Sequence, residues 1–212
     1  MGLFYQHSVN PETKIGIWTI EEPEEFFLES VPVKRDVSHP AKRLQHLAGR
    51  FLLPYMMPDF PLRQILVADT RKPYLADDKY HFSISHCGTY AGVIVSSTQR
   101  VGIDIEVVST RMYNIMHKFV NENERQFLAE WEGMDKLHLE LTTVLWSAKE
   151  AVFKWYGLGK IDFREHMQLS GNVIFRADEW IELPFTFSKD KIVELKVMAK
   201  IFGDVVLAWV VS

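Results

Sequence analysis

The sequence predicts an α+β protein made of two similar lobes, residues 1–100 and 101–212. Three observations predict it. Residues 38–53 and 137–156 repeat apolar side chains at threes and fours, the spacing of a helix with one buried face. The segments around them are rich in β-branched and aromatic residues and alternate in polarity, as half-buried strands do. Each half also follows a similar course of strand, helices and then several strands, and short turns between successive strands favour antiparallel neighbours. A cleft between two such lobes is a natural place for a ligand.

Taken in order, residues 3–9 and 14–20 read as strands joined by Asn10-Pro11-Glu12-Thr13, a turn composition. Residues 21–30 form a short helix, with Pro23 where it begins and acids in its first turn. In the helix 38–53, Ser38 is the expected cap, Pro40 sits in the first turn, and Leu44, Leu47, Phe51 and Leu52 form the apolar face. Arg43 and Arg50 are seven apart and share a face; His39 and His46 have the same spacing without an acid to complete a metal set. Pro54 ends that helix. Strands are expected at 63–68, 80–86, 90–97 and 101–107, the last two as an antiparallel pair across Thr98-Gln99-Arg100. Helices follow at 111–118, at 121–132 with Asn121 as cap, and at 137–156, which Gly157 and Gly159 stop. The remainder reads as strands at 168–175, 185–187, 192–199 and 205–211, with Gly203-Asp204 turning the last two.

Composition narrows the class. Hydrophobic residues are 47%, charged residues 25% and aromatics 13%, enough apolar side chain for a sizeable core. A net charge of −4 supplies no basic field for nucleic acid. The single Cys87 cannot form an internal disulfide, no signal-like leader opens the chain, and no apolar run approaches a membrane span. A reducing, cytoplasmic setting is the expectation.

The chemistry gathers at two places. In Val101-Gly102-Ile103-Asp104-Ile105-Glu106, strand alternation puts Asp104 and Glu106 on one face and Ile103 and Ile105 on the other. Two adjacent carboxylates repel, and either a solvated edge or a hard divalent cation such as magnesium relieves that. Within the long helix, Trp146, Glu150 and Lys154 are spaced by four and stack on one face. On an open surface Glu150 and Lys154 would be a weak ion pair. The neighbouring Trp146 argues for a half-buried face, on which Glu150 needs a further partner. Glu150 is thus a third carboxylate available to a metal, with Lys72, Lys154 and His86 as cations for phosphate.

These motifs resemble the 4′-phosphopantetheinyl transferases. Gly102-Ile103-Asp104-Ile105-Glu106 is followed some forty residues later by Trp146-Ser147-x-Lys149-Glu150-Ala151-x-x-Lys154. Phe82-Ser83-Ile84-Ser85-His86-Cys87-Gly88 resembles the family's NISHSG segment, and Arg71-Lys72-Pro73 its GKP segment, all in the family's order. The length is similar to the surfactin-synthetase-activating (Sfp) type, a pseudo-dimer of two lobes in one chain.

The resemblance implies an enzyme that binds coenzyme A between its lobes, and two lobes in one chain make a monomer the expectation. It implies transfer of the phosphopantetheine arm to a serine of an apo acyl or peptidyl carrier protein, with release of adenosine 3′,5′-bisphosphate. Asp104, Glu106 and Glu150 match the magnesium ligands. Lys154 matches a lysine of the phosphate region, Ser85 and His86 match residues at the 3′-phosphate, and Lys72-Pro73 matches a segment beside the adenine and phosphates. Glu124 matches a further functional acid, and a helix first-turn role is its other reading. Glu150 and Glu124 are both available as the base. Nucleotide contacts from the N-terminal half are sought among Lys34, Arg35, Arg43 and Arg50. Two departures stand out: Arg71 replaces a glycine and Cys87 a serine. The alternative function is a coenzyme A-binding module that has lost catalysis and serves a synthetase as a partner. Neither reading calls for nucleic acid or a membrane.

Overall fold

A computed structural model describes residues 2–32 and 37–212; the basic pair Lys34-Arg35 lies outside the described residues. The chain mixes helices and sheets, as expected of an α+β protein, and divides into two compact units, Met1–Ile105 and Glu106–Ser212.

In the first unit, β1 (Leu3–Asn10) and β2 (Thr13–Thr19) form an antiparallel hairpin. Its turn is closed by Asn10, whose Oδ1 accepts the Glu12 N–H at 3.0 Å, the local bond that makes Asn a turn former. The short α1 (Glu24–Leu28) precedes α2 (Pro40–Met56). Ser38 does not cap α2: His39 occupies the cap position without a side-chain bond, and Pro40 follows in the first turn. The helix also runs through Pro54 to Met56. Pro54 lacks one N–H, and that loss falls in the last turn, where it costs least.

After a 3₁₀ turn at Leu62–Gln64, the strand expected at 63–68 shrinks to β3 (Leu66–Val67), paired with β4 (Pro73–Tyr74). Then come β5 (His81–Cys87), β6 (Tyr90–Ser96) and β7 (Val101–Val107). The first sheet is ordered β1-β2-β6-β5, with α2 packed on β6, β2 and β5. The expected pairing of β6 with β7 does not form. A strand has two edges, and β2 and β5 occupy both edges of β6. The first unit's core gathers Trp18, Phe27, Leu47, Leu52, Leu53, Phe60, Phe82 and Val93.

The second unit begins within β7, which heads the sheet order β7-β12-β11-β10-β8. It carries α3 (Arg111–Phe119), α4 (Glu122–Ala129) and α5 (Asp135–Tyr156), then β8 (Met167–Leu169), β9 (Ile174–Phe175), β10 (Ile181–Ser188), β11 (Ile192–Phe202) and β12 (Val205–Val211). Gly157 ends α5 at φ 75°, a left-handed position that glycine adopts without a Cβ clash. The helix packs across β12 and β11, and buries Leu141, Val144, Leu145, Ala148, Val152 and Trp155 against Phe185, Val197, Ala199 and Ala208.

Gly92 on β6 is a close approach that bears on the site. A Cβ built there would fall inside the Ile105 side chain, against Cδ1. We predict that Gly92→Ala destabilises the protein by about 1–3 kcal/mol through overpacking, read by urea denaturation, and that adding Ile105→Val, which removes Cδ1, recovers most of the loss.

Candidate functional site

Strand alternation sorts the residues of β5. Ser83 and Ser85 are buried, while Ile84 and His86 point the other way and line a cavity of about 300 Å³. The two serines tether β7. The Ile103 N–H donates to Ser83 Oγ at 3.3 Å and the Ile105 N–H to Ser85 Oγ at 3.2 Å. Ser85 in turn donates its hydroxyl proton to Asp104 Oδ1 at 2.9 Å. Asp104 is only 2% exposed, so this charge-assisted bond orients a carboxylate that water barely reaches.

Glu106, two residues on and on the same face of β7, is held within the second unit. Trp146 Nε1 donates to its Oε1 at 3.0 Å. Trp146 is itself fixed between Phe119 and Phe163, with ring centroids 5.1 and 5.5 Å away. Trp146, Glu150 and Lys154 form a half-buried stripe on α5, whereas Ser147, Ala148, Lys149, Ala151 and Val152 are buried. The half-buried face expected from the sequence is present.

Among the described residues, no three His, Cys, Asp or Glu side chains already converge as a metal cage. Magnesium seldom needs one: it takes one or two carboxylates and completes its shell with water and phosphate oxygens. Asp104 and Glu106 fit that demand. Both are hard oxygen donors on one strand face, and each has one oxygen steered by a neighbouring donor.

Lys149, which carries no assigned role in the sequence reading, is fully buried, and its ammonium has three acceptors. It donates to Phe119 O at 2.6 Å, Glu124 Oε2 at 2.7 Å and Phe163 O at 2.8 Å. Burial lowers its pKa to about 8, and the Glu124 carboxylate works in the opposite direction. Three acceptors for three N–H groups keep it charged at neutral pH. Glu124 is equally buried. Its Oε2 also accepts the Asn121 N–H at 2.9 Å, completing a capping box on α4, and its Oε1 accepts the Leu169 N–H at 3.2 Å. Its oxygens thus bond Lys149 and two backbone amides, which ties α4 to α5 and β8. The signal in the sequence was Asn121 followed three residues later by Glu124, the pattern of a capping box.

The cavity lies within the first unit. Its lining joins the basic residues Arg43, His46, Arg50, Arg71 and His86 to the apolar Leu47, Leu62, Ile65, Val67 and Pro73. Arg43 is tied to Glu24 Oε2 at 2.7 Å. Arg50 reaches His46 Nδ1 at 3.2 Å, and the His46 and His86 rings meet edge-on at 5.5 Å. Arg43, Arg50, Pro73 and His86 are therefore brought together around one cavity. Ser85 faces away from the cavity, toward Asp104. Lys72 adjoins two lining residues, and its pKa is lowered to about 8, first by burial and then by the Arg100 charge.

Residues 100–207 match the 4′-phosphopantetheinyl transferase superfamily. The chain belongs to that superfamily. Among individual relatives, it is 31% identical over 140 residues to the 4′-phosphopantetheinyl transferase AcpT of Escherichia coli, covering 61% of this chain and 68% of that one. It is 29% identical over 167 residues to a putative 4′-phosphopantetheinyl transferase of Haemophilus influenzae, covering 69% of each. Enterobactin synthase component D of Salmonella typhimurium is 33% identical over 116 residues, 53% of this chain and 47% of that one. The chain thus spans about half the length of the enterobactin synthase component it matches. The region shared with the transferase superfamily takes in Asp104, Glu106, Glu124, Lys149, Glu150 and Lys154 and leaves out the cationic cavity.

Removing Lys149 leaves an uncompensated buried carboxylate. Lys149→Met should cost about 3–5 kcal/mol in chemical denaturation. Combining it with Glu124→Leu, which removes the stranded charge, should restore most of that, short of the capping-box contribution of about 1 kcal/mol.

Proposed function

We propose that this protein transfers the 4′-phosphopantetheine arm of coenzyme A to a serine of an apo acyl or peptidyl carrier protein, with magnesium, releasing adenosine 3′,5′-bisphosphate. The observation that carries this reading is the Asp104–Glu106 pair on β7, one carboxylate steered by Ser85 and the other by Trp146, in a chain of the transferase superfamily. Asp104 and Glu106, with Glu150 from α5, are the residues that would hold the ion. Bound there, magnesium would neutralise charge on the pyrophosphate oxygens during the displacement.

The nucleophile arrives with the partner, so the enzyme has only to bind, orient and take a proton. The serine Oγ attacks the β-phosphorus of coenzyme A. The bond from that phosphorus to the bridging oxygen breaks, and adenosine 3′,5′-bisphosphate leaves with the electron pair. Lys154, one turn beyond Glu150 on the same half-buried face, is placed to offset the charge that grows on the leaving phosphate. Of the two acids available as base, Glu124 is enclosed by Lys149 and backbone amides, so the serine proton passes to Glu150. The cationic cavity, with its apolar wall, suits the nucleotide end of coenzyme A: Arg43, Arg50, His86 and Pro73 bind there, with Lys72 beside them. Ser85 acts through Asp104 rather than on the nucleotide.

The presence of two compact units in one chain supports the Sfp type and a monomer. A reducing cytoplasm, where carrier proteins and coenzyme A meet, is the proposed setting. No helix among the described residues is long and apolar enough to cross a membrane.

Incubation with coenzyme A, magnesium and a panel of fatty-acid and peptide-synthetase carrier proteins should add one phosphopantetheine mass to at least one of them. Binding of coenzyme A without transfer to any carrier would point to an inactive module instead. Asp104→Ala should lower kcat/KM by about 100-fold or more, and Ser85→Ala should weaken magnesium activation by about 10-fold.

Lys72 adds a pH dependence. Below about pH 8 it is protonated and favours an anion; above that the free protein loses the charge, and anion affinity falls. The KM for coenzyme A should therefore rise as pH passes through about 8, and Lys72→Arg, whose guanidinium stays charged, should flatten that rise.

A further inference from the structure

Arg71 is in a conformation that its side chain disfavours. The loop between β3 and β4 is closed by the Ala68 N–H donating to Lys72 O at 3.0 Å and the Arg71 N–H donating to Ala68 O at 2.8 Å. That closure holds residue 71 at φ 67°, the left-handed region that glycine enters without penalty and a residue bearing a Cβ does not. Asp78, Lys160 and Glu179 share this conformation, and of the four only Arg71 is among the cavity-lining residues described.

Arg71 lines the cavity together with Arg43, His46, Arg50 and His86, and no acidic residue is among the lining residues described. The other two guanidiniums share their N–H groups with protein partners, Arg43 with Glu24 and Arg50 with His46. Among the described residues no carboxylate pairs with Arg71. A planar guanidinium fork is well matched by a terminal phosphomonoester, which offers two charged oxygens to two parallel N–H groups.

This inference rests on the coenzyme A reading above. Coenzyme A carries two anionic centres, the pyrophosphate and the ribose 3′-phosphomonoester, and its arm is uncharged. The β7 carboxylate pair and Lys154 are assigned to the pyrophosphate. The resemblance puts His86, which lines the cavity, at the monoester. We propose that Arg71 is a specificity-determining residue: its guanidinium takes the ribose 3′-phosphate and makes the enzyme prefer coenzyme A to dephospho-coenzyme A. The left-handed turn is the structural cost of presenting it.

Titration calorimetry of the full chain with coenzyme A and with dephospho-coenzyme A, in wild type, Arg71→Gly and Arg71→Lys, tests this. Arg71→Gly should bind coenzyme A about 10- to 100-fold more weakly, as expected for loss of a charge-assisted pair, and leave dephospho-coenzyme A binding unchanged. Its melting temperature should hold or rise, because the turn strain is relieved. Arg71→Lys keeps the charge without the fork and should lie between. If wild type binds coenzyme A but Arg71→Gly keeps the same preference, or loses both ligands equally, the assignment of Arg71 is overturned and the coenzyme A reading stands. If wild type binds neither ligand, both fall together.

Discussion

A buried ammonium must satisfy three N–H donors or be expelled, and Lys149 meets that demand by drawing three segments to one point. The carbonyl at the end of α3, the carboxylate of Glu124 and the carbonyl of Phe163 all converge on Nζ. The cost of leaving any of these groups unpaired in a dry interior exceeds the worth of an ordinary surface contact several-fold. Glu124 passes the constraint on to the first turn of α4 and to β8 through two backbone amides. The register of α5 follows, and with it the positions of Trp146, Glu150 and Lys154 on the helix face next to the buried lysine. Polar specificity of this kind adds little net stability compared with an apolar core of the same shape, and it does select one arrangement of helix and loop.

The first unit solves a related problem with serine. β5 alternates, so one face carries hydroxyls and the other carries His86 and Ile84. The hydroxyls do work that a sheet ladder would otherwise do, accepting amides of β7, and Ser85 has a proton left for Asp104. One strand therefore serves two chemistries: it steers a carboxylate on one side and walls a cationic cavity on the other. The resemblance implies a phosphate contact for both Ser85 and His86, and of the two His86 lines the cavity. Adjacent residues on a strand face opposite ways, which is why Ser85 meets Asp104 and His86 the cavity.

Much of the site was legible locally. The alternation of Asp104 with Ile103 and Ile105, the four-residue spacing of Trp146, Glu150 and Lys154, and the Asn121–Glu124 cap are all consequences of backbone periodicity, which a few neighbouring residues specify. The less legible features depended on partners far along the chain. Lys149 reads as one more charged residue until Phe163 and Glu124 are brought beside it. The short link from β6 to β7 suggested a hairpin, and the prior claim of β2 and β5 on both edges of β6 prevented it. Arg71 reads as a substitution in a loop until the turn gives it a left-handed backbone and a cavity wall.

The sequence by itself determined which side chains share a face, because helix and strand periods are properties of adjacent residues. It also determined the family, through motifs whose spacing reflects those periods. Only the tertiary structure decided which polar groups lose water and to whom they then bond. Desolvation is a non-local event: it bound Glu124 to Lys149 and two backbone amides, turned Ser85 toward Asp104, and gave a charged lysine the interior position on which the α5 register depends.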